Sequence, residues 1–232
     1  MLHRYWENQM KLFHFTTARY VISSILENRF KLSTFMNLND PFEVMPIMRE
    51  KDGHYASAVL VRHHIQDMLK NTGLLCLSAD ISSTAMWGHY ADRHKGVAYE
   101  FHFEQEVLGT LFHVEYKNER VELSDKTNLN IKAEYKEFII TLLGRKAECW
   151  GFEAEFRWVF PLINGKVHVT VGKDGFIYMA IPKELKRIIL GVDCPLIEGV
   201  VSNALHEHGF KDVAVTRARL SDRDYRVIVD PI

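Results

Sequence analysis

The sequence Gly-Leu-Leu-Cys-Leu-Ser at residues 73–78 most constrains the fold. A continuous apolar run of this length is typical of a central strand that is buried on both faces. The hydrophobic pattern predicts further strands at residues 11–16, 30–33, 96–103, 110–116, 153–160, 166–171, 176–181, 186–191, 213–216 and 225–229. It predicts helices at residues 17–28, 55–70, 83–92, 129–149 and 195–208, the last one capped by Gly209. Because helices and strands do not alternate regularly, the pattern favours an α+β fold with a mixed or antiparallel sheet.

The composition agrees with one globular domain spanning residues 1–232. The chain has 232 residues, of which 47% are hydrophobic and 25% charged, and these fractions exclude a disordered or collagen-like chain. Its 13 glycines and 6 prolines are too few for a flexible interdomain linker. The formal net charge is −1, with 29 basic and 30 acidic side chains, so no global charge steers the protein onto nucleic acid or an anionic membrane.

The sequence lacks the patterns typical of metal sites, signal peptides and membrane-spanning segments. The three cysteines, Cys76, Cys149 and Cys194, form no Cys-x-x-Cys pair, and the histidine pairs supply no third or fourth ligand, so we expect no metal site. The first ten residues contain no apolar signal-peptide core, and the longest apolar stretch, residues 138–143, is far too short to span a membrane. We therefore expect a cytoplasmic protein with reduced thiols.

The segment Trp-Gly-Phe-Glu-Ala-Glu-Phe-Arg-Trp at residues 150–158 is the most unusual in the chain. In a strand, Glu153, Glu155 and Arg157 share one face, with the two carboxylates about 7 Å apart. Such a pair beside a guanidinium can hold ribose hydroxyls or stabilise a developing cation. The alternative is a solvated sheet face with ordinary cross-strand ion pairs.

Three other segments carry candidate ligand contacts. His14 and Thr16 share one face of the first strand, where they either contact a ligand or are half-buried structural residues. Trp87 and Tyr90 lie three residues apart on one face of a short helix, which suits either a flat aromatic ligand or packing on the core. The turn at residues 39–43 (Asn-Asp-Pro-Phe-Glu) is predicted to be an ordered, partly buried corner beside the cleft.

The C-terminal region alternates arginines with aspartates. Its arginines are Arg217, Arg219, Arg223 and Arg226. They form either a patch for phosphate or nucleic acid, or a charge-balanced solvated edge.

Four motifs in this order resemble a bacterial family known as domain of unknown function 2971. They are His-Phe-Thr-Thr at residues 14–17, the segment 32–43 (LSTFMNLNDPFE), the segment 75–101 (LCLSADISSTAMWGHYADRHKGVAYEF), and Lys146 preceding the segment 150–160 (WGFEAEFRWVF). The third motif is the most specific, and the resemblance covers roughly residues 11–190. Residues 191–232 would add a helix and strands that complete the sheet.

The layout is also similar, more distantly, to the ADP-ribosyltransferase superfamily, whose α+β fold holds NAD in a cleft between two sheets. His14 and Thr16 match that superfamily's first-strand motif. Ser78 or Tyr90 matches its middle element, and Glu153 with Glu155 matches its late Glu-x-Glu.

The resemblance implies an NAD-dependent ADP-ribosyltransferase or NAD glycohydrolase. Glu155 would stabilise the oxocarbenium ion, assisted by Glu153, and His14 and Thr16 would contact ribose. Trp87 or Tyr90 would stack on nicotinamide, while Ser78 and Arg157 would complete the cofactor contacts. Two alternatives are a non-catalytic module that binds a nucleotide or a protein, and a nucleic-acid-directed enzyme that uses the arginine-rich C-terminal strands.

Overall fold

The computed structural model describes residues 10–49, 55–56, 65, 69, 72–104, 111–123, 132–161 and 169–231. The strands are β1 (Met10–Thr16), β2 (Phe30–Thr34), β3 (Ile47–Arg49), β4 (Tyr55–Ala56), β5 (Thr72–Ser78), β6 (Val97–Phe103), β7 (Leu111–His113), β8 (Glu115–Tyr116), β9 (Glu122–Leu123), β10 (Arg145–Lys146), β11 (Glu155–Pro161), β12 (Val169–Val171), β13 (Ile177–Met179), β14 (Leu185–Leu190), β15 (Ala214–Arg217), β16 (Arg219–Leu220) and β17 (Val227–Ile228). The helices are α1 (Val21–Leu26), α2 (Thr84–Tyr90), α3 (Lys132–Leu143) and α4 (Glu198–Glu207). Short 3-10 turns span Ala18–Tyr20, Phe35–Asn37 and Glu148–Glu153.

A large, mostly antiparallel sheet organises the chain, which confirms the α+β prediction. Its strand order is β12-β13-β2-β5-β1-β6-β14-β15, and β11 pairs with both β5 and β7. The pair β14–β15 is parallel, whereas the other pairs along this path are antiparallel. In the part of the chain that the structure describes, no helix is both long and apolar enough to cross a membrane.

Helices cover the sheet on both faces, as the continuous apolar run in β5 requires. On one face, side chains of α1 and α4 share a buried cluster with aromatic residues of β6 and with Trp158 of β11. On the other face, α2 packs on Phe13 and Phe15 of β1 through Met86 and Trp87. Burial of this apolar surface on both sides is the main stabilising contribution to the fold.

Most predicted elements are present, with shifts at their ends. Strands β1, β5 and β6 agree with the predictions to within one residue, since β5 contains a continuous apolar run and β1 and β6 carry apolar side chains on both faces. Helix α2 begins after Ser83, whose hydroxyl accepts a hydrogen bond of 3.3 Å from the amide of Met86. Gly209 follows α4 with φ 88°, as a helix cap requires.

Three predictions need correction. The strand predicted at 110–116 is two short strands divided at Val114, because β7 pairs with β11 whereas β8 pairs with β10. The helix predicted at 129–149 ends at Leu143 instead, and strand β10 and the 3-10 turn Glu148–Glu153 follow it. The helix predicted at 55–70 lies mostly outside the described residues; Tyr55–Ala56 form strand β4 instead, whereas Ile65 and Leu69 are helical as predicted.

Candidate functional site

The large sheet contains a fork beside β5. One edge of β5 pairs with β11 over the full strand. On its other edge, β2 pairs only with Gly73 and Leu74, and β1 pairs only with Ser78 through Phe13. Residues 75–77 of that edge therefore face a gap between β1 and β2. Unsatisfied backbone groups in such a gap require other partners.

A cavity of about 610 Å³ occupies this fork, a volume typical of ligand sites. Its walls come from β1, α1, β2, β5 and the β12–β13 hairpin. Its inner end is lined by His14, Thr16, Tyr90, Lys146, Glu153 and Glu155. As predicted, Glu155 and His14 line the same cavity.

His14 supplies a hydrogen-bond partner to a backbone carbonyl of β5. Its Nδ1 lies 2.9 Å from the carbonyl oxygen of Cys76, and its ring stacks on Tyr99 with 6.3 Å between the ring centroids. Burial lowers the pKa of His14, and the bond to the Cys76 carbonyl offsets this effect only in part. The ring is therefore neutral at pH 7, so Nδ1 donates to the carbonyl and Nε2 is an acceptor.

Glu155 is held by a buried guanidinium. Arg157 Nε and Nη2 each donate to a Glu155 carboxylate oxygen at 2.9 Å, while Nη1 donates to Leu143 O at 2.7 Å. Nη2 also donates to Glu43, 114 residues away in the sequence. Arg157, Glu155 and Glu43 are 0%, 4% and 4% exposed, so the alternative of a solvated sheet face is wrong. The bidentate geometry fixes the carboxylate in one orientation.

The Lys146 ammonium contacts all three buried carboxylates at the inner end. Its Nζ lies 2.7 Å from Glu153, 3.1 Å from Glu43 and 3.7 Å from Glu155. It also donates to the Asn39 side-chain oxygen at 3.3 Å, and Asn39 Nδ2 donates to the Tyr90 hydroxyl at 2.5 Å. The Tyr90 hydroxyl donates in turn to Glu153, which closes a ring of hydrogen bonds.

These contacts set the protonation states at the inner end. Burial raises the pKa of Glu155, but Arg157 and Lys146 outweigh that effect, and the net pKa is lowered. Burial lowers the pKa of Lys146, yet the surrounding carboxylates raise it overall, so the lysine stays protonated. Burial raises the pKa of Tyr90, and the adjacent Glu153 adds to this. Burial also raises the pKa of Glu43 despite its two cationic partners.

Ala154 explains how two neighbouring carboxylates reach one cavity. Its φ of 44° and ψ of 50° are left-handed, an uncommon conformation for a residue with a Cβ. Glu153 therefore ends a 3-10 turn, and strand β11 begins only at Glu155. The prediction that both glutamates lie on one strand face is wrong, whereas Glu155 and Arg157 do share a face.

The structure places Trp87, Ser78 and Arg157 away from the cavity lining. Trp87 is 0% exposed, packs edge-on against Phe15 and donates from Nε1 to Ile81 O at 2.8 Å. Its predicted role as a nicotinamide platform is therefore wrong. The hydroxyl of Ser78 is 1% exposed and accepts the amide of Asp80 at 3.1 Å. The Arg157 guanidinium is buried against Glu155 and Glu43, so both residues support the site rather than contact a ligand.

The turn at residues 39–43 is a partly buried corner beside the cavity, as predicted. Asp40 is 5% exposed and its carboxylate accepts the amide of Phe42 at 2.9 Å, while Asn39 lines the cavity. The role of Glu43 was not predicted from the sequence. A glutamate that follows an Asp-Pro turn looks exposed, and the sequence carries no signal that pairs it with Arg157.

The C-terminal arginines mostly have internal partners. Arg217 contacts Glu198 at 2.7 Å and donates to three backbone carbonyls, and Arg219 pairs with Asp230 at 3.2 Å. Arg226 pairs with Asp224 at 3.4 Å. This pattern agrees with a charge-balanced edge. Among the described residues, no group of three or more His, Cys, Asp or Glu side chains is arranged to hold a metal ion.

The fold and the site define an α+β protein with a ligand-sized cavity whose inner end is built from buried charged groups. Comparisons of the chain with protein-family models, with curated proteins and with solved structures find no match. Membership of the family of domain of unknown function 2971, and similarity to ADP-ribosyltransferases, remain predictions from the sequence motifs.

Proposed function

We propose that this protein cleaves the bond between nicotinamide and ribose in NAD and transfers ADP-ribose to an acceptor or to water. One observation carries the proposal: the first-strand residues His14 and Thr16 line the same cavity as Glu153 and Glu155. The fork between β1 and β2 is what brings these distant segments together.

The charge at the inner end supports a cationic reacting group. The cluster holds three carboxylates, Glu43, Glu153 and Glu155, against two cations, Lys146 and Arg157, which leaves one negative charge in excess when all are ionised. The nicotinamide ring of NAD is a cation, and its departure leaves positive charge on the ribose. A fixed carboxylate in a water-poor site stabilises such charge much more than one in bulk water.

The reaction proposed for this site breaks the glycosidic C–N bond, and the bonding electron pair leaves with neutral nicotinamide. The resulting oxocarbenium ion is stabilised by Glu155 and captured by the oxygen or nitrogen of the acceptor, which releases its proton to solvent. Glu153 and Thr16 would bond ribose hydroxyls, and the neutral His14 would offer Nε2 as an acceptor. The ring of Tyr90, rather than that of Trp87, would stack on nicotinamide.

One observation favours a second candidate, a non-catalytic module that binds a nucleotide. Both Glu153 oxygens and both Glu155 oxygens already accept hydrogen bonds from protein groups. A carboxylate so engaged contributes charge and shape to a binding site even without turnover. We also propose a cytoplasmic location, which the three free cysteines support.

Release of nicotinamide, followed by chromatography, tests the proposal. We expect free nicotinamide from wild-type protein incubated with NAD, and about a hundred- to thousandfold lower rate from Glu155→Gln, as for loss of one electrostatic contact to a transition state. Glu115→Gln is the matched control, because Glu115 is an exposed carboxylate with two basic partners. Thermal stabilisation by NAD without release of nicotinamide would favour the binding module. If NAD neither stabilises the protein nor is cleaved, both candidate functions are refuted.

A further inference from the structure

The outer end of the cavity, which we call the mouth, is formed by Tyr20, Lys31, Phe176 and Tyr178. Tyr20 is 55% exposed and Phe176 is 42% exposed, although both line the cavity that ends at the buried Glu155. They belong to separate elements, the 3-10 turn before α1 and the β12–β13 hairpin. Exposed aromatic rings that line a cavity have no role in the core and offer faces for stacking a flat ligand.

The charges at the mouth differ from those at the inner end. Arg29 lies over the Tyr178 ring and pairs with Glu27, while Asp174 accepts the Tyr178 hydroxyl at 2.6 Å and the amide of Phe176. Lys31 Nζ lies 3.2 Å from the Phe176 ring centroid, and among the described residues it has no carboxylate partner. The mouth therefore presents one ammonium group that lies over one face of a partly exposed ring.

We propose that the mouth binds the base and the phosphate of a nucleoside diphosphate, with the base stacked on Phe176 and Tyr20 and the phosphate on Lys31. Resting on the proposed function, this assigns the two halves of NAD: the cationic nicotinamide half lies against the acidic inner end, and the anionic adenosine diphosphate half lies at the mouth. Stacking of a base on an aromatic ring and contact of a phosphate with a cationic side chain are common means of binding nucleotides.

Calorimetric titration with ADP and with adenosine tests the mouth without any turnover. Phe176→Ala should weaken both ligands about tenfold, as for loss of one base–aromatic stack. Lys31→Gln should weaken ADP by about three- to tenfold at low salt and leave adenosine unchanged, because only ADP carries the phosphate. Phe176→Leu, which keeps apolar bulk without a flat ring, should behave like Phe176→Ala. This variant shows whether the loss of affinity comes from the missing aromatic face rather than from misfolding.

Matched controls are Tyr225→Ala and Lys211→Gln. Tyr225 is 99% exposed, Lys211 is exposed, and neither lines the cavity. Failure of ADP to bind folded wild-type protein, or equal ADP affinity in the mouth variants and wild type, would overturn the assignment of the mouth. If wild type releases nicotinamide while the mouth variants bind ADP normally, this inference fails and the proposed function stands. If ADP binding changes as expected but no nicotinamide is released, the mouth stands as a nucleotide site and the proposed function fails.

Discussion

Lys146→Met probes the balance of charge on which the inner end of the cavity depends. The ammonium contacts Glu153, Glu43 and Glu155 at 2.7, 3.1 and 3.7 Å, and all four side chains are at most 5% exposed. Methionine fills similar space but leaves three carboxylates facing the single cation Arg157, so the excess negative charge rises from one to two. Because the three carboxylates are almost fully buried, water can replace little of the lost interaction.

The expected loss of stability is about 3–5 kcal/mol, the usual cost of removing one partner from a buried ion pair. That is a large part of the roughly 5–15 kcal/mol that stabilises a typical domain. Urea denaturation followed by circular dichroism measures it. Lys117→Met is the control, because Lys117 and its partner Glu115 are 46% and 53% exposed, and a surface pair contributes only about 0–1 kcal/mol.

At lower pH, the difference in the free energy of unfolding between Lys146→Met and wild type should be smaller. The pKa of Glu43 is already raised by burial, and loss of the ammonium would raise it further, so lowering the pH from 7.5 to 5.5 lets the uncompensated carboxyl take up a proton. A loss below 1 kcal/mol at pH 7.5, or a loss of the same size at both pH values, would refute this account of the cluster.

Three smaller changes test the elements that shape the cavity. Burial lowers the folded-state pKa of His14 below its unfolded value of 6.5, so its contribution to stability is present at pH 7.5 and is lost as the pH falls. In urea titrations, the free energy of unfolding should therefore fall less between pH 7.5 and pH 5.5 for His14→Gln than for wild type. Equal falls in the two proteins would contradict this. Ala154→Gly should change stability by about 0 to 1 kcal/mol in the stabilising direction, since glycine relieves the left-handed strain but gains freedom in the unfolded chain; a clear loss in melting temperature would show that the strain is absent. Gly96→Ala should destabilise by about 1–3 kcal/mol or more, because the new Cβ would lie 2.2 Å from the carbonyl oxygen of Thr16; a variant that melts like wild type would exclude that contact.

The strands were predictable where local chemistry decides the structure. Residues 73–78 form a continuous apolar run and residues 96–103 are mostly apolar, and the structure places β5 and β6 there because a central position buries both faces. The end of α4 was predictable for a similar reason, since Gly209 takes a positive φ at low cost.

The site was only partly predictable, because its geometry depends on contacts between distant segments. The alternating pattern at residues 153–157 suggests one continuous strand, and nothing local reveals that Ala154 adopts a left-handed conformation. The partnership of Glu43 with Arg157 spans 114 residues. Trp87 failed as a ligand platform because helical spacing shows which side chains share a face, but not whether that face meets a cavity or the core.

The central claim is that one NAD molecule fills the cavity with its reacting ribose beside Glu155. A crystal structure of the Glu155→Gln variant with NAD tests this most directly, since the slow variant should retain intact ligand. We expect the nicotinamide ribose against Glu153 and the substituted side chain, and the adenine against Phe176. A cavity left empty at saturating NAD, or NAD bound in the reverse orientation, would contradict the account.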